Sequence, residues 1–271
     1  SVSTAGNSGE GQLPTSDSTD FYIAERDSYR DHQWKAQSIA NYKINQKNLV
    51  QGGVTYTQFL YDYFYEDDYN DEDGIMTRWQ DSKGSAGMLQ SFVSWKNRLS
   101  NDLTIISGVH YTQFLLNNSN AVEPRLGIKW TANKRNSFSM GAGMHSRIES
   151  VSTYLYNELQ SDGSYHYLNR DLDLSKSIHG VLGYSFNFNE NMYLKTELYY
   201  QHLYNMPVHN DSNSYQSLVN SSYGIPNIEL VNEGTGRNYG VELTLERFFN
   251  KGYYFLLTGS LYKSEFEALD G

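Results

Sequence analysis

The chain contains no cysteine and only four prolines among its 271 residues. Without cysteine there is no disulfide framework, no thiolate metal cluster and no cysteine nucleophile. Long apolar runs are missing too: none approaches the roughly 18 to 20 residues of a membrane-crossing helix. Ser1 to Thr19 has neither a basic stretch nor an apolar core and does not read as a signal peptide. Neither absence excludes a membrane, because a β-barrel crosses with alternating strands of about 9 to 11 residues. Positive charge is scarce, with 21 Lys and Arg against 31 Asp and Glu. The resulting charge of −10 argues against a nucleic-acid partner, whose phosphates need basic residues to neutralise them.

Aromatic residues are abundant, with 24 Tyr, 12 Phe and 4 Trp, and the dominant pattern is alternation with period two. Tyr239, Val241, Leu243 and Leu245 share one parity, while Asn238, Gly240, Glu242, Thr244 and Glu246 share the other. Phe138, Met140, Ala142 and Met144 likewise oppose Ser137, Ser139, Gly141, Gly143 and His145. Ten such runs are read as strands, at 33–45, 49–65, 84–97, 102–116, 121–132, 136–149, 175–188, 192–206, 236–249 and 252–266.

Three features separate a lipid-facing barrel from a water-soluble sandwich. The runs are long, where ordinary strands have about 5 or 6 residues. Their joins alternate between short turns rich in Asn, Lys, Asp and Gly and, with one brief exception at Asn117 to Asn120, long loops. Tyr42, Trp95, Trp130, Phe138, Phe188, Phe249 and Tyr253 all fall close to a short turn on the apolar parity, as an interfacial girdle would. The opposite parity carries Glu123, Arg125, Lys129, Lys195, Glu197, Glu242 and Glu246, which a wide polar lumen accommodates and a lipid face does not.

The expected fold is therefore all-β: a segment of an antiparallel up-and-down transmembrane β-barrel, with about ten long strands and alternating short turns and long loops. Residues 1–32 read as a polar segment like an extracellular loop, and 33–271 as a partial barrel. Both ends are expected at the long-loop rim, as for a piece of a larger barrel whose edge strands find partners elsewhere.

Several stretches carry a resemblance. Glu123-Pro124-Arg125-Leu126-Gly127-Ile128-Lys129-Trp130, Ser139 to Ser146, Lys195 to Gln201, and above all Gly236-Arg237-Asn238-Tyr239-Gly240-Val241-Glu242-Leu243 with Gly252 to Tyr262 resemble barrel strands of TonB-dependent outer-membrane receptors, the Bacteroidetes-type branch in particular. The resemblance implies a place in the outer membrane of a Gram-negative bacterium. It also implies a part in uptake of an iron chelate, vitamin or glycan, with lipid, a plug domain and the TonB system as partners of the parent protein and no cofactor. No plug and no TonB box is found in these residues.

Catalytic residues are not expected. The seven histidines show no zinc spacing, and no G-x-S-x-G occurs. Asp67, Asp68, Asp71 and Asp73 sit in an acidic run that fails the EF-hand pattern, so they read as a solvated loop and at most as weak cation ligands. Tyrosines of the long loops suit stacking on flat or sugar-like ligands, and Tyr65, Tyr69, Tyr154, Tyr156, Tyr165, Tyr167, Tyr215 and Tyr223 are the candidate ligand contacts. Packing of loops against one another accounts for the same residues. Two rivals remain at this level: a soluble or surface-attached β-sandwich binding module, and a ten-stranded outer-membrane enzyme that closes strand 33–45 on strand 252–266.

Overall fold

A computed structural model describes residues 2–14, 21–68, 75–160, 162–220 and 228–270. In chain order its elements are β1 (Val2–Pro14), β2 (Phe21–Lys43), β3 (Asn48–Asp67), β4 (Thr77–Arg98), β5 (Leu103–Phe114), β6 (Asn120–Thr131), β7 (Asn136–Arg147), α1 (Val151–Tyr154), β8 (Asn157–Leu159), β9 (Tyr165–Tyr167), β10 (Ser175–Asn189), β11 (Met192–His209), β12 (Leu230–Asn250) and β13 (Tyr253–Glu267). Eleven of the strands form one antiparallel sheet in the order β1-β2-β3-β4-β5-β6-β7-β10-β11-β12-β13, and β8 pairs with β9 apart from it. All ten expected strands are present.

The short joins are built by local hydrogen bonds. Asn45 Oδ1 accepts from the backbone N–H groups of Lys47 and Asn48, each at 2.9 Å. Asn133 repeats the arrangement with Arg135 and Asn136, so two turns of the form Asn-x-x-Asn share one solution. Lys251 and Gly252 both have positive φ, 57° and 91°, as a two-residue turn matched to strand twist requires.

The strands turn an apolar parity outward. Met140, Leu182, Leu198, Val241 and Leu261 face one another across five strands in a continuous row. The seven turn-side aromatics are all exposed, from 42% for Phe138 to 71% for Phe249. Trp130 and Phe138 stack at 5.5 Å, and Phe138 meets Tyr184 at 5.1 Å. Among the described residues no second sheet covers this face, as a sandwich would require. Nor does the ten-stranded closure form among the described residues: there β2 is flanked by β1 and β3, and β13 pairs with β12 alone.

The N-terminal segment differs from the sequence reading. Instead of a loop over 1–32, residues 2–14 and 21–34 pair as a hairpin, with Val2 opposite Trp34 and Pro14 opposite Phe21. Val2 therefore lies partway down β2 and not at the long-loop rim. The physical reason is that this hairpin rises beyond the apolar belt, where neither face must be hydrophobic, so no alternation marks it. For the same reason β4 begins at Thr77 and β12 at Leu230, earlier than their apolar faces indicate.

Candidate functional site at the long-loop end

A hydrophobic core sits where the segment 148–174 folds onto the inner face of the sheet. Tyr63, Ala86, Phe114, Val151, Tyr154, Leu155, Leu172, Leu174 and Leu230 are buried together there. The segment is fastened by asparagines. Asn117 Nδ2 donates to the carbonyls of Arg170 and Leu172, at 3.0 and 2.7 Å. Asn169 donates to Ile228 O and accepts from Leu230 N–H. Asn232 donates to the carbonyls of Asp173 and Asn205 and accepts from Asp173 N–H. Such two-way amide contacts pin irregular backbone that no strand satisfies.

The candidate tyrosines divide by environment. Tyr154 is fully buried, with its ring centroid 5.0 Å from that of Phe114 and its hydroxyl accepting from Glu149 N–H. Burial pushes its phenol up to about 12. Tyr156 is 1% exposed, stacks on Trp79, and is likewise shifted upward by burial and then by the Glu158 and Asp67 carboxylates. These two rings pack the segment against the wall. Tyr165 and Tyr215 are exposed, and Tyr65 and Tyr167 are half-buried. The Arg170 guanidinium lies 5.4 Å from the centre of the Tyr167 ring. Behind these, Tyr29, Tyr63 and Tyr61 form a ladder with centroid spacings of 5.7 and 5.5 Å. Tyr69 and Tyr223 lie outside the described residues.

The acidic run does not behave as a cation site within the described residues. Asp67 and Asp68 are buried. Asp67 accepts from Trp79 Nε1 at 2.9 Å and from the Tyr65 hydroxyl at 2.6 Å, so both of its oxygens are engaged. Neighbouring Glu66 pairs with Arg26 and Arg78. Asp71 and Asp73 lie outside the described residues. No group of three or more potential ligand side chains is poised for a metal among the residues described.

The lumen face below carries ionisable side chains among small and polar ones. Glu197 lies directly opposite Glu242, with Lys195 Nζ 2.6 Å from Glu197. Between β6 and β7 the pairing runs only from Arg125↔Gly143 downward. Above it stands Pro124, which has no N–H to give a neighbouring strand. There the Glu123 carboxylate replaces the ladder, accepting from Ser146 N–H at 3.1 Å and contacting Arg125 at 2.6 Å and His110 at 3.2 Å. His145 stacks on His179 beside it, at 4.6 Å. Neither this cluster nor the asparagine pins stand out in the sequence, because their partners come from distant segments.

A model of the family described as TonB dependent receptor-like, beta-barrel matches residues 2–269. Among solved structures, the siderophore receptor PirA from Pseudomonas aeruginosa superposes with a TM-score of 0.67 at 11% identity, over 97% of this chain and 50% of that one. The FrpB iron transporter from Neisseria meningitidis gives 0.63 at 14% identity, over 89% and 37%. The RagAB peptide transporter gives 0.61 at 13%, over 98% and 34%. No curated protein matches. The chain thus spans half or less of the length of these structures, which share its fold. The exposed apolar belt is the lipid-facing surface of an outer-membrane protein, and the chain belongs to the TonB-dependent receptor-like β-barrel family.

Proposed function

We propose that these residues form part of the wall and vestibule of a TonB-coupled receptor that takes up a small ligand of the iron-chelate, vitamin or glycan class. The observation that carries this reading is the pairing of a dry outer face with an ionisable lumen face, surmounted by a tyrosine-lined vestibule at the long-loop end. Ligand would enter between the long loops and contact the accessible rings of Tyr65, Tyr165, Tyr167 and Tyr215, where stacking binds flat or sugar-like groups at low entropic cost. Tyr154 and Tyr156 would hold the segment that presents them. Passage would be gated by a plug domain coupled to TonB, so no catalytic residue is assigned. Relatives of the same fold bear names that refer to siderophore, iron and peptide transport, which favours a receptor over an enzyme.

The test is accumulation of a panel of labelled chelates, vitamins and oligosaccharides by cells with and without the intact gene. One ligand should accumulate only when the gene is present, and a protonophore should abolish it. Replacing Tyr165 and Tyr215 with Ala should weaken binding of that ligand about tenfold, on the order of 1.4 kcal/mol. Equal accumulation of every ligand in the deletion strain would refute the reading.

A further inference from the structure

The seam between β6 and β7 is incomplete. Their pairing stops at Arg125↔Gly143, although β6 begins at Asn120 and β7 runs on to Arg147. On their other sides both strands stay paired to their ends, Asn120 with Gln113 of β5 and Arg147 with Ser175 of β10. The two strands therefore splay at the long-loop end and leave a cleft of about 270 Å³ between them. Asn120, Glu123, His145, Ser146, Lys176 and Tyr204 form its polar lining.

Register fixes the face and the height of this cleft. Ser146, Lys176 and Tyr204 are neighbours across β7, β10 and β11, six residues above Met140, Leu182 and Leu198 and on the same parity, so the cleft opens on the lipid side. Asn120 is ten residues from Trp130 on β6, about 33 Å along the strand and about 25 Å along the membrane normal at barrel tilt. That is the height of the apolar band, which puts the cleft level with the headgroups of the outer leaflet. Tyr200 and Tyr239, stacked and exposed on this face four residues below Tyr204, mark the border as an upper girdle does.

An open seam is not tolerated in hydrocarbon, whereas polar partners are at hand at headgroup depth. The lining selects among them. Charge is already balanced there, with Arg125 2.6 Å from Glu123 and Lys176 Nζ 2.6 Å from Asp173. A phosphate would meet the Glu123 carboxylate and a lysine that Asp173 has neutralised. Sugar hydroxyls, which both donate and accept, suit a wall of amide, hydroxyl, imidazole and ammonium groups. The Tyr204 ring, stacked on His202 at 6.0 Å, supplies a flat face for a sugar ring.

We propose that the β6–β7 cleft binds a sugar ring in the headgroup of an outer-leaflet glycolipid, through its hydroxyls and not through a phosphate. The bound sugar bridges the splayed strands and completes the wall where the ladder stops. The inference rests on register, height and lining and does not depend on which ligand the receptor carries.

Native mass spectrometry of the full-length protein in mild detergent tests this, with glycolipid extracted from the same outer membrane as the probe. The protein should prefer the glycolipid to phosphatidylethanolamine by about tenfold or more. Removing the phosphates of the glycolipid should change its affinity by less than about twofold. Tyr204→Ala and Asn120→Ala should each weaken binding about fivefold, as loss of one stacking face or one hydrogen bond does. Leu182→Ala, in the apolar belt, should leave binding unchanged. Resistance of each variant to unfolding in detergent verifies that its barrel is intact. The proposal fails if the unaltered protein retains no glycolipid, which leaves the cleft to water, or takes phosphatidylethanolamine equally well. It fails too if dephosphorylation abolishes binding, or if the deacylated oligosaccharide binds as tightly as the intact glycolipid, which would make the cleft a site for free sugar.

Discussion

The wall of this barrel segment is tall on one side and low in the middle. β2, β3 and β4 have 23, 20 and 22 residues, whereas β5, β6 and β7 have 12 each. Twelve residues at about 3.3 Å, tilted as barrel strands are, rise roughly 30 Å, about the thickness of the hydrocarbon and its borders. The low strands therefore end where the membrane does, and the tall ones continue into water. Above the low strands the segment 148–174 occupies the space that the wall leaves open, pinned to Asn117 and packed on Phe114. Spanning the membrane and building the vestibule are thus separable tasks, and the low side performs the second with a folded-back loop.

Changes on the low side should break this division most severely. Phe114→Ala removes a fully buried ring from the loop core and should cost about 3–5 kcal/mol, read by denaturant unfolding and by new proteolytic cleavage within 148–174. If that segment stays protected, the loop is held by something other than this core. Met140→Arg places a charge in the apolar belt of β7 and should cost about 2–4 kcal/mol in folding into bilayers, while Ser139→Arg, one residue away on the lumen face, should cost little. Equal penalties would mean that the faces have been assigned wrongly.

Asn117→Ala leaves two carbonyls without their donor and should cost on the order of 1–3 kcal/mol. Hydrogen exchange should speed up in 168–174 and remain unchanged in β3 and β4. The smallest effect concerns alkali. Burial raises the Tyr154 phenol from 10.0 to about 12, so the unfolded chain loses that proton at lower pH than the folded one. The stability linked to it is complete below pH 10 and lost as pH rises through about 12. Tyr154→Phe should flatten the stability profile over that window, and an unchanged slope would show that the ring is not held dry.

Legibility in the sequence follows the same division. Inside the membrane, lipid demands an apolar parity and polar turns, so alternation alone assigns Met140, Val241 and Trp130 to the outer face. Above it nothing enforces alternation, and the hairpin of β1 with upper β2 leaves no trace in the residue pattern. Tyrosines of the loops pose a different problem: Tyr154 and Tyr215 look alike in sequence, and only tertiary packing buries one and exposes the other. Asp67 is ambiguous for a similar reason, since an acidic neighbourhood does not reveal that Trp79 and Tyr65 already occupy its oxygens.

The strict up-and-down order also dictates a sequence of events in time. Each tight turn joins strands that are adjacent in the chain, so pairing on that side closes small loops and advances hairpin by hairpin. The segment 148–174 meets Phe114 and Leu230 only when strands far apart in the chain have been brought together, so its core closes much larger loops than the turns do. The core at the long-loop end is therefore the part of the fold that depends on the most distant segments having come together.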